Sequence, residues 1–153
     1  MQSKPFNTSA PRLIFAEDDP DWTSLFCLEF QKLAPGWDII CAAEGLSAVR
    51  ALENAHMPRA LLTDLRMQGM DGLELIEWVR AQPRFLSLPV FVSSTSENPL
   101  HRQRCTDLKV VRYLDKPATL QGIRDNIREI VQRCGNSSFP GLDGETGFSH
   151  SLP

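Results

Sequence analysis

The chain has 153 residues, a length that fits one domain with its own hydrophobic core. Hydrophobic residues make up 42% and charged residues 23% of the sequence, which is typical of a soluble globular protein. The net charge of −3 argues against a chain whose main task is direct binding of nucleic acid, because that task needs a broad basic surface. No apolar run is long enough to cross a bilayer, and the first residues lack the apolar core of a signal peptide, so we expect a cytoplasmic protein without membrane contact.

Short apolar runs alternate with helical patterns along the chain. The runs predict strands at 12–16, 38–42, 60–63, 89–93 and 110–114. The helical patterns follow Asp19, Gly45 and Asp71, then span about 97–107, and the last and clearest covers 120–134. The apolar runs lack polar alternation, which indicates strands buried on both faces. We therefore predict an α/β fold, a doubly wound parallel sheet of five strands with helices on both faces.

Two of the predicted helices begin at an aspartate that follows a strand. Asp19 precedes Pro20, whose missing amide donor costs nothing in a first turn, and the aspartate satisfies free amides there. Asp71 is followed three positions later by Glu74, which is the spacing of a capping box. These residues predict where the first and third helices start.

The ends of the chain differ in composition from its centre. Residues 1–10 are polar, and residues 135–153 are rich in glycine and serine, with too little apolar surface to offset the entropy of ordering. We predict a flexible N-terminal segment at 1–10, one folded domain at 11–134 and a flexible tail at 135–153.

The cysteine pattern excludes the common cysteine-based sites. The sequence has four cysteines, which lie far apart and form no C-x-x-C pair: Cys27, Cys41, Cys105 and Cys134. This spacing differs from that of a zinc knuckle or a dithiol redox motif. We therefore expect reduced thiols, most of them buried.

Polar side chains follow the predicted strands at the point where each strand ends. In chain order they are Glu17 and Asp18, Glu44, Asp64, Ser94 and Lys116. Parallel strands bring these ends to one rim, where open α/β folds bind ligands. Clustered carboxylates repel one another unless a cation lies between them, and oxygen ligands suit Mg²⁺. A lysine and a serine beside them are suited to holding a phosphoryl group, whereas Glu44 is better explained as a turn residue.

This set resembles the receiver domain of two-component response regulators, over roughly residues 12–133. The matching pieces are Glu17-Asp18 after the first strand, Asp64 with Met70-Asp71-Gly72 downstream, Ser94 after the fourth strand, and Lys116-Pro117 after the fifth. The segment Glu17-Asp18-Asp19-Pro20 and the strand that ends in Ser94-Thr95-Ser96 look similar to those of stand-alone receivers paired with phytochrome-type or other sensor kinases. The resemblance implies a flavodoxin-like sheet with strand order 2-1-3-4-5.

The resemblance also implies a role for each acid of the site. Asp64 would accept a phosphoryl group from a sensor histidine kinase or a phosphotransfer protein. Glu17, Asp18, Asp64 and the backbone carbonyl of Arg66 would coordinate Mg²⁺. The chain would catalyse only its own phosphorylation and dephosphorylation, so it would not be an enzyme in the usual sense.

Three further residues match the family's response machinery. Lys116 would pair with Asp64 or with the phosphate, and Ser94 would bond a phosphate oxygen. Tyr113 stands at the position of the switch aromatic, whose ring turns inward as the hydroxyl residue moves. The signal would leave through the face shared by the fourth helix, the fifth strand and the fifth helix, to a partner or to a second copy in a homodimer, without direct binding of nucleic acid.

Some positions depart from the family pattern. Gln68 replaces the usual proline in the loop after Asp64, and Leu108-Lys109-Val110 stands where small residues are usual. Thr95 is bulkier than the small residue common beside the phosphoryl site, and Arg66 would shield the bond from water. We therefore predict slow spontaneous dephosphorylation.

Two other classes of protein fit parts of this pattern. A phosphatase of the haloacid-dehalogenase type also uses an aspartate after a strand, but usually carries a second acid two residues later, where this chain has Arg66. A pseudo-receiver would keep the fold and act only as a docking module. The intact set of Glu17, Asp18, Asp64 and Lys116 argues against the pseudo-receiver.

Overall fold

A computed structural model of the chain describes residues 9–54 and 56–135, so most of the predicted terminal segments at 1–10 and 135–153 lies outside the described residues. The strands are β1 (Arg12–Ala16), β2 (Asp38–Ala42), β3 (Ala60–Thr63), β4 (Val90–Ser94) and β5 (Arg112–Asp115). The helices are α1 (Pro20–Leu33), α2 (Gly45–Asn54), α3 (Gly72–Ala81), α4 (Pro99–Asp107) and α5 (Leu120–Cys134), with a short 3-10 helix at Pro83–Phe85.

The strands form one parallel sheet in the order β2-β1-β3-β4-β5. The prediction of a doubly wound α/β fold with this strand order is therefore confirmed. Every residue of β1, β3 and β4 is buried, as their unbroken apolar runs indicated, whereas the edge strands β2 and β5 are partly exposed. In the register of β1, Ala16 pairs with both Ala42 and Thr63, so the ends of β1 and β3 lie side by side.

Helices cover both faces of the sheet, and alternate side chains of each strand point to opposite faces. Leu13 and Phe15 of β1 pack against α1 and α5, whose buried residues include Phe26 and Ile127. Ile14 and Ala16 face the other core layer, which α2, α3 and α4 complete. No described helix has both the length and the apolar character needed to cross a membrane.

The predicted helix starts are confirmed. The side chain of Asp19 accepts hydrogen bonds from the amides of Asp21 (3.0 Å) and Trp22 (3.2 Å), and that of Asp71 accepts one from the amide of Glu74 (2.9 Å). These caps satisfy amide groups that a helix leaves unpaired at its start. Asp19 lies three residues after β1, so its cap fixes how the chain turns at this point of the rim of the sheet.

The fifth strand begins later than the sequence predicted. It starts at Arg112 rather than at 110, because the chain first closes α4 with a tight turn. Lys109 adopts a left-handed conformation with φ of 58°, and the amide of Val110 bonds back to the carbonyl of Cys105 (3.0 Å). Leu120, the first residue of the last predicted helix, is 41% exposed in the first turn of α5.

One arginine, Arg80 in the last turn of α3, connects that end of the helix to the turn after α4. Arg80 donates hydrogen bonds to five backbone carbonyls, at 2.9–3.3 Å: those of Phe85, Leu86, Leu88, Leu108 and Lys109. A guanidinium carries five N–H donors in a fixed planar arrangement, two more than a lysine ammonium, so it can serve acceptors in two different loops. Arg80 thereby holds the loop after α3 against the loop that leads into β5.

The cysteines depart from the prediction in one respect. Cys105 and Cys134 are buried, as expected, but Cys27 on α1 is half-buried and Cys41 on β2 is exposed. The sulfur atoms of Cys27 and Cys41 lie 2.8 Å apart. All four cysteines are free thiols, but the expectation that most are buried is wrong for this pair, because Cys27 and Cys41 lie in elements that leave them partly open to solvent.

Candidate functional site

Asp64 lies one residue beyond β3, where its backbone amide still bonds to the carbonyl of Ala16 (3.0 Å). Its side chain is buried and its Oδ1 accepts a hydrogen bond from the amide of Leu65 (2.7 Å). The amide of Arg66 lies 3.4 Å from the same oxygen. The other oxygen, Oδ2, faces the ends of β1 and β5. Asp64 therefore presents one oriented carboxylate oxygen to the rim of the sheet.

Gly72 allows α3 to begin directly against this aspartate. A Cβ atom at Gly72 would lie 2.0 Å from the backbone carbonyl oxygen of Asp64, closer than real contacts permit. The amide of Gly72 also donates to the carbonyl of Leu65 (2.9 Å). The glycine of the Met70-Asp71-Gly72 motif is thus required by the close approach of two backbone segments at the site.

Three carboxylates meet at the ends of β1 and β3. Each of Glu17, Asp18 and Asp64 offers an oxygen, and these oxygens lie within 4.8 Å of one another. Glu17 is buried and Asp18 is exposed. An all-oxygen set of this kind fits a hard divalent cation, which would also relieve the repulsion among the acids. Glu44, which the sequence predicted to be a turn residue, is exposed and lies outside this cluster.

Lys116 projects from just beyond β5 into the same cluster. Its Nζ lies 2.9 Å from Oε2 of Glu17 and 3.1 Å from Oδ2 of Asp64, and 5.4 Å from the ring centre of Trp22. The backbone amide of Lys116 bonds to the carbonyl of Ser94 (3.1 Å), which fixes its position relative to β4. The ammonium group therefore links residues that are 99 and 52 positions away in sequence.

Burial and charge shift the ionisation of these groups in opposite directions. Burial raises the pKa of Glu17 to about 7, and the charge of Asp64 adds to this, while the hydrogen bond from Lys116 opposes it. Burial would lower the pKa of Lys116, but its bonds to Glu17 and Asp64 raise it overall. Three carboxylates share one ammonium group in this cluster, and this imbalance of charge favours the binding of a cation.

Ser94 and Tyr113 lie on the β4 and β5 side of the site. Ser94 is the last residue of β4 and is 1% exposed, and its hydroxyl accepts a hydrogen bond from the amide of Ser96 (3.1 Å). Tyr113 is half-buried on β5, and its hydroxyl donates to the carbonyl of Ser96 (3.0 Å). Both predicted residues are therefore joined to the same short segment after β4.

The first turns of α4 carry contacts that the sequence did not reveal. His101 is half-buried, and its Nδ1 lies 2.7 Å from the hydroxyl of Ser96. The guanidinium of Arg102 lies 4.2 Å from the ring centre of Tyr113 and bonds to Asp115 (2.7 Å). The polar residues of α4 have no clear amphipathic pattern, so nothing in the sequence indicated which of them face β5.

An open groove leads from the acidic cluster to α4. Its volume is about 440 Å³, and it is lined by Asp18, Leu65, Arg66, Met67, Gln68, Asp71, Leu73 and His101. Arg66 and Gln68 are exposed at its mouth, and Thr95 is also exposed. The groove gives a ligand or a partner side chain access to Asp18 and to the loop after Asp64. Slow dephosphorylation, which the sequence predicted from Arg66 and Thr95, stays a prediction.

The sequence that builds this site matches a known family: residues 13–128 fit the family model of the response regulator receiver domain. The chain belongs to this family. The resemblance inferred from the motifs is thus confirmed. Receiver domains act in two-component signalling and are phosphorylated by histidine kinases or phosphotransfer proteins.

This receiver domain has curated relatives and similar solved structures. It is 30% identical to the transcriptional regulatory protein TctD of Salmonella typhimurium (strain SL1344) over 122 residues, which cover 80% of this chain and 52% of TctD. The chain thus spans about half the length of TctD. The phosphorylated cyanobacterial phytochrome response regulator RcpA has a TM-score of 0.77 at 23% identity, with 86% of this chain and 98% of RcpA covered. The Mn²⁺-bound form of response regulator Rcp1 has a TM-score of 0.71 at 23% identity, with 86% and 99% covered.

Proposed function

We propose that this receiver domain works in a phosphorelay in which Asp64 accepts a phosphoryl group from a sensor histidine kinase or a phosphotransfer protein. The observation that carries the proposal is the position of the Asp64 carboxylate. It is oriented by the amide of Leu65 and lies within hydrogen-bonding distance of Lys116, beside Glu17 and Asp18. An exposed groove beside these residues leaves room for the donor.

The proposed transfer forms a bond between Asp64 and phosphorus and breaks the bond between phosphorus and the donor histidine. The electron pair of the broken bond stays with the imidazole nitrogen. Lys116 compensates negative charge on Asp64 and on the transferring group. The hydroxyl of Ser94, which accepts a hydrogen bond from the amide of Ser96, would donate its own hydrogen to a phosphate oxygen.

We propose Mg²⁺ as the cofactor, held by Glu17, Asp18, Asp64 and the backbone carbonyl of Arg66. The three clustered carboxylates support a divalent cation. The structural neighbour Rcp1, described in its Mn²⁺-bound form, supports the same class of ion. Bound Mg²⁺ would neutralise charge on the phosphoryl oxygens during transfer. The acids of the chain would hold the ion, and Lys116 would then be available to the phosphoryl group.

In this proposal the chain catalyses only its own phosphorylation and dephosphorylation and does not turn over an external substrate. Arg66 stands two residues after Asp64, so it offers no carboxylate to protonate a leaving group there. Arg66 is exposed and lines the groove beside Asp64, where its side chain would hinder attack by water. A long-lived phosphorylated form suits a signal carrier.

We propose that the signal leaves through the face formed by α4, β5 and α5. Exposed apolar side chains on or beside these elements support an interaction there: Leu100, Val111 and Leu120 are 76%, 38% and 41% exposed. Tyr113 and Arg102 connect this face to the segment after β4. The proposed output is binding of a partner protein or of a second copy, without direct binding of nucleic acid.

The decisive experiment is incubation of the full chain with acetyl phosphate, with and without Mg²⁺, followed by intact mass spectrometry. We expect one phosphate adduct that requires Mg²⁺ and is absent in Asp64→Asn. The matched control, Asp125→Asn on the exposed surface of α5, should be phosphorylated as the wild type. No adduct from acetyl phosphate or from a panel of phosphorylated histidine kinases would refute the proposal and favour a docking module. Continuous release of phosphate from many substrates would instead favour a phosphatase.

A further inference from the structure

Two thiols lie next to each other on the face of the sheet that α1 and α5 cover. Cys27 lies in the middle of α1 and Cys41 in the edge strand β2, and their sulfur atoms are 2.8 Å apart. A disulfide bond is about 2.05 Å long, so joining the two sulfurs needs a side-chain movement of less than 1 Å. The sulfur of Cys27 on α1 contacts the sulfur of Cys41 on β2. The buried cysteines, Cys105 and Cys134, have no such contact among the described residues.

The environment distinguishes the two thiols. Cys41 is exposed, and the hydrogen bond from Cys27 lowers its pKa. That same bond, together with burial, raises the pKa of Cys27. The lowered pKa favours the thiolate, the nucleophilic form, at Cys41, and the raised pKa favours the thiol at Cys27. Accessible to solvent and backed by a second sulfur, Cys41 has the features of a thiol that reacts with an oxidant.

We propose that Cys27 and Cys41 form a reversible redox modification site, which a peroxide converts to an intramolecular disulfide. The Cys41 thiolate attacks one oxygen of hydrogen peroxide, the O–O bond breaks, and hydroxide leaves, giving a sulfenic acid on Cys41. The sulfur of Cys27 then attacks the Cys41 sulfur and displaces the sulfenic oxygen, which leaves as water with the thiol proton. In sum, two thiols lose one electron and one proton each, and one peroxide becomes two waters.

Cys105 and Cys134 give an internal comparison. Both are buried, and burial raises the pKa of each to about 11, so they stay protonated and shielded. The site at Cys27 and Cys41 would be the one that oxidises first. Its closure would fasten α1, the helix that begins beside the acidic cluster, to the edge strand of the sheet. The proposal uses no part of the phosphoryl chemistry and stands independently of it.

The test uses the full chain, reduced and then treated with a slight excess of hydrogen peroxide. After quenching, unfolding in urea and labelling with N-ethylmaleimide, we expect two of the four thiols to be labelled, instead of four before oxidation. Peptide mapping of the wild type should find Cys27 linked to Cys41, and dithiothreitol should restore full labelling. Because the disulfide closes a loop of about 15 residues, the oxidised protein should melt roughly 10 °C higher than the reduced protein.

Three variants test whether the crosslink forms between Cys27 and Cys41. Cys27→Ser and Cys41→Ser should each abolish the crosslink and the shift in melting temperature, whereas Cys105→Ala should keep both. The peptide map of the wild type decides the matter even if a variant folds poorly. The proposal is overturned if peroxide gives only dimers linked between chains, if Cys41 is carried to the sulfinic acid without a crosslink, or if Cys105 and Cys134 react as fast as Cys41.

Discussion

Lys116 holds the carboxylates of the site together in the described structure. Its ammonium group contacts both Glu17 and Asp64, and its side chain is only 16% exposed. Removal of one partner from such a group leaves charge that is poorly solvated and unpaired. The residue therefore has a structural role as well as its proposed role in catalysis.

We expect Lys116→Gln to lower the free energy of unfolding by about 2 kcal/mol when Mg²⁺ is absent, because the clustered acids then lack a cation. Addition of Mg²⁺ should raise the melting temperature of the wild type, by linkage of binding to folding. The rise should be larger in Lys116→Gln, because the ion then compensates for the missing ammonium. Thermal unfolding with and without Mg²⁺ measures both effects.

The control is Lys109→Gln, which removes an exposed lysine from the loop before β5. It should leave the response to Mg²⁺ unchanged. An equal Mg²⁺ response in Lys116→Gln and the wild type would contradict the view that the ammonium and the metal neutralise the same acids.

At the scale of elements, α4 and β5 form the connection between the site and the outer surface. Tyr113 donates to the backbone of Ser96, two residues after Ser94, and Arg102 covers the tyrosine ring while bonding to Asp115. A charge placed near Ser94 therefore acts on a segment that Tyr113 and α4 share. This arrangement is the physical basis for the proposed switch.

The chain has a single tyrosine, so 3-fluorotyrosine gives a ¹⁹F resonance that reports on Tyr113 alone. Under the proposed function, acetyl phosphate with Mg²⁺ should shift this resonance in the wild type and leave it unchanged in Asp64→Asn. Arg102→Ala should broaden or split the resonance before phosphorylation, because the ring loses the guanidinium that covers it.

Arg104→Ala is the matched control for this measurement. Arg104 lies on the same helix but pairs with Glu77 of α3 (3.0 Å), away from the tyrosine. Its loss should leave the ¹⁹F spectrum as in the wild type. If both arginine variants disturb the resonance equally, the effect comes from a general loosening of α4 and the specific contact is refuted.

The elements differ in how well the sequence predicts them. Strands β1, β3 and β4 are continuous apolar runs, and Asp19 and Asp71 are strong helix caps, so the sheet and the helix starts follow from local chemistry. The start of β5 does not, because a left-handed Lys109 and a bond back to α4 decide it. The sequence also does not predict which side of α4 packs against β5, because the polar residues of α4 lack an amphipathic pattern.

For the whole molecule, the positions of the acids and Lys116 at one rim follow from a general rule, that parallel strands end together. The sequence accordingly predicts which residues meet, although the distances between them depend on packing. The contact of Cys27 and Cys41 has no such rule behind it. It depends on how α1 packs relative to the edge strand. Residues far from either cysteine determine that packing.

The packing of α1 on α5 includes a nearly buried carboxylate, Glu29, whose side chain is 3% exposed. Arg124 of α5 bonds to it at 2.9 Å and Lys32 at 3.2 Å. The hydrogen bond from Arg124 holds the pKa of Glu29 below its ordinary value of 4.5, although burial alone would raise it. The unfolded chain therefore binds more protons at this residue than the folded chain does in the acidic range.

This difference fixes the sign of a pH effect on the stability of the whole domain. Glu29 should contribute its full stabilisation above pH 4.5, the ordinary pKa, and lose it as the pH falls through the lower pKa of the folded state. Glu29→Gln should thus be less stable than the wild type at neutral pH, and the gap should close in acid. Urea unfolding across the pH range measures this gap.

The control is Glu53→Gln, which removes an exposed acid of α2 and should show no such closing of the gap. If the gap in stability between Glu29→Gln and the wild type stays constant with pH, packing rather than charge holds α1 to α5.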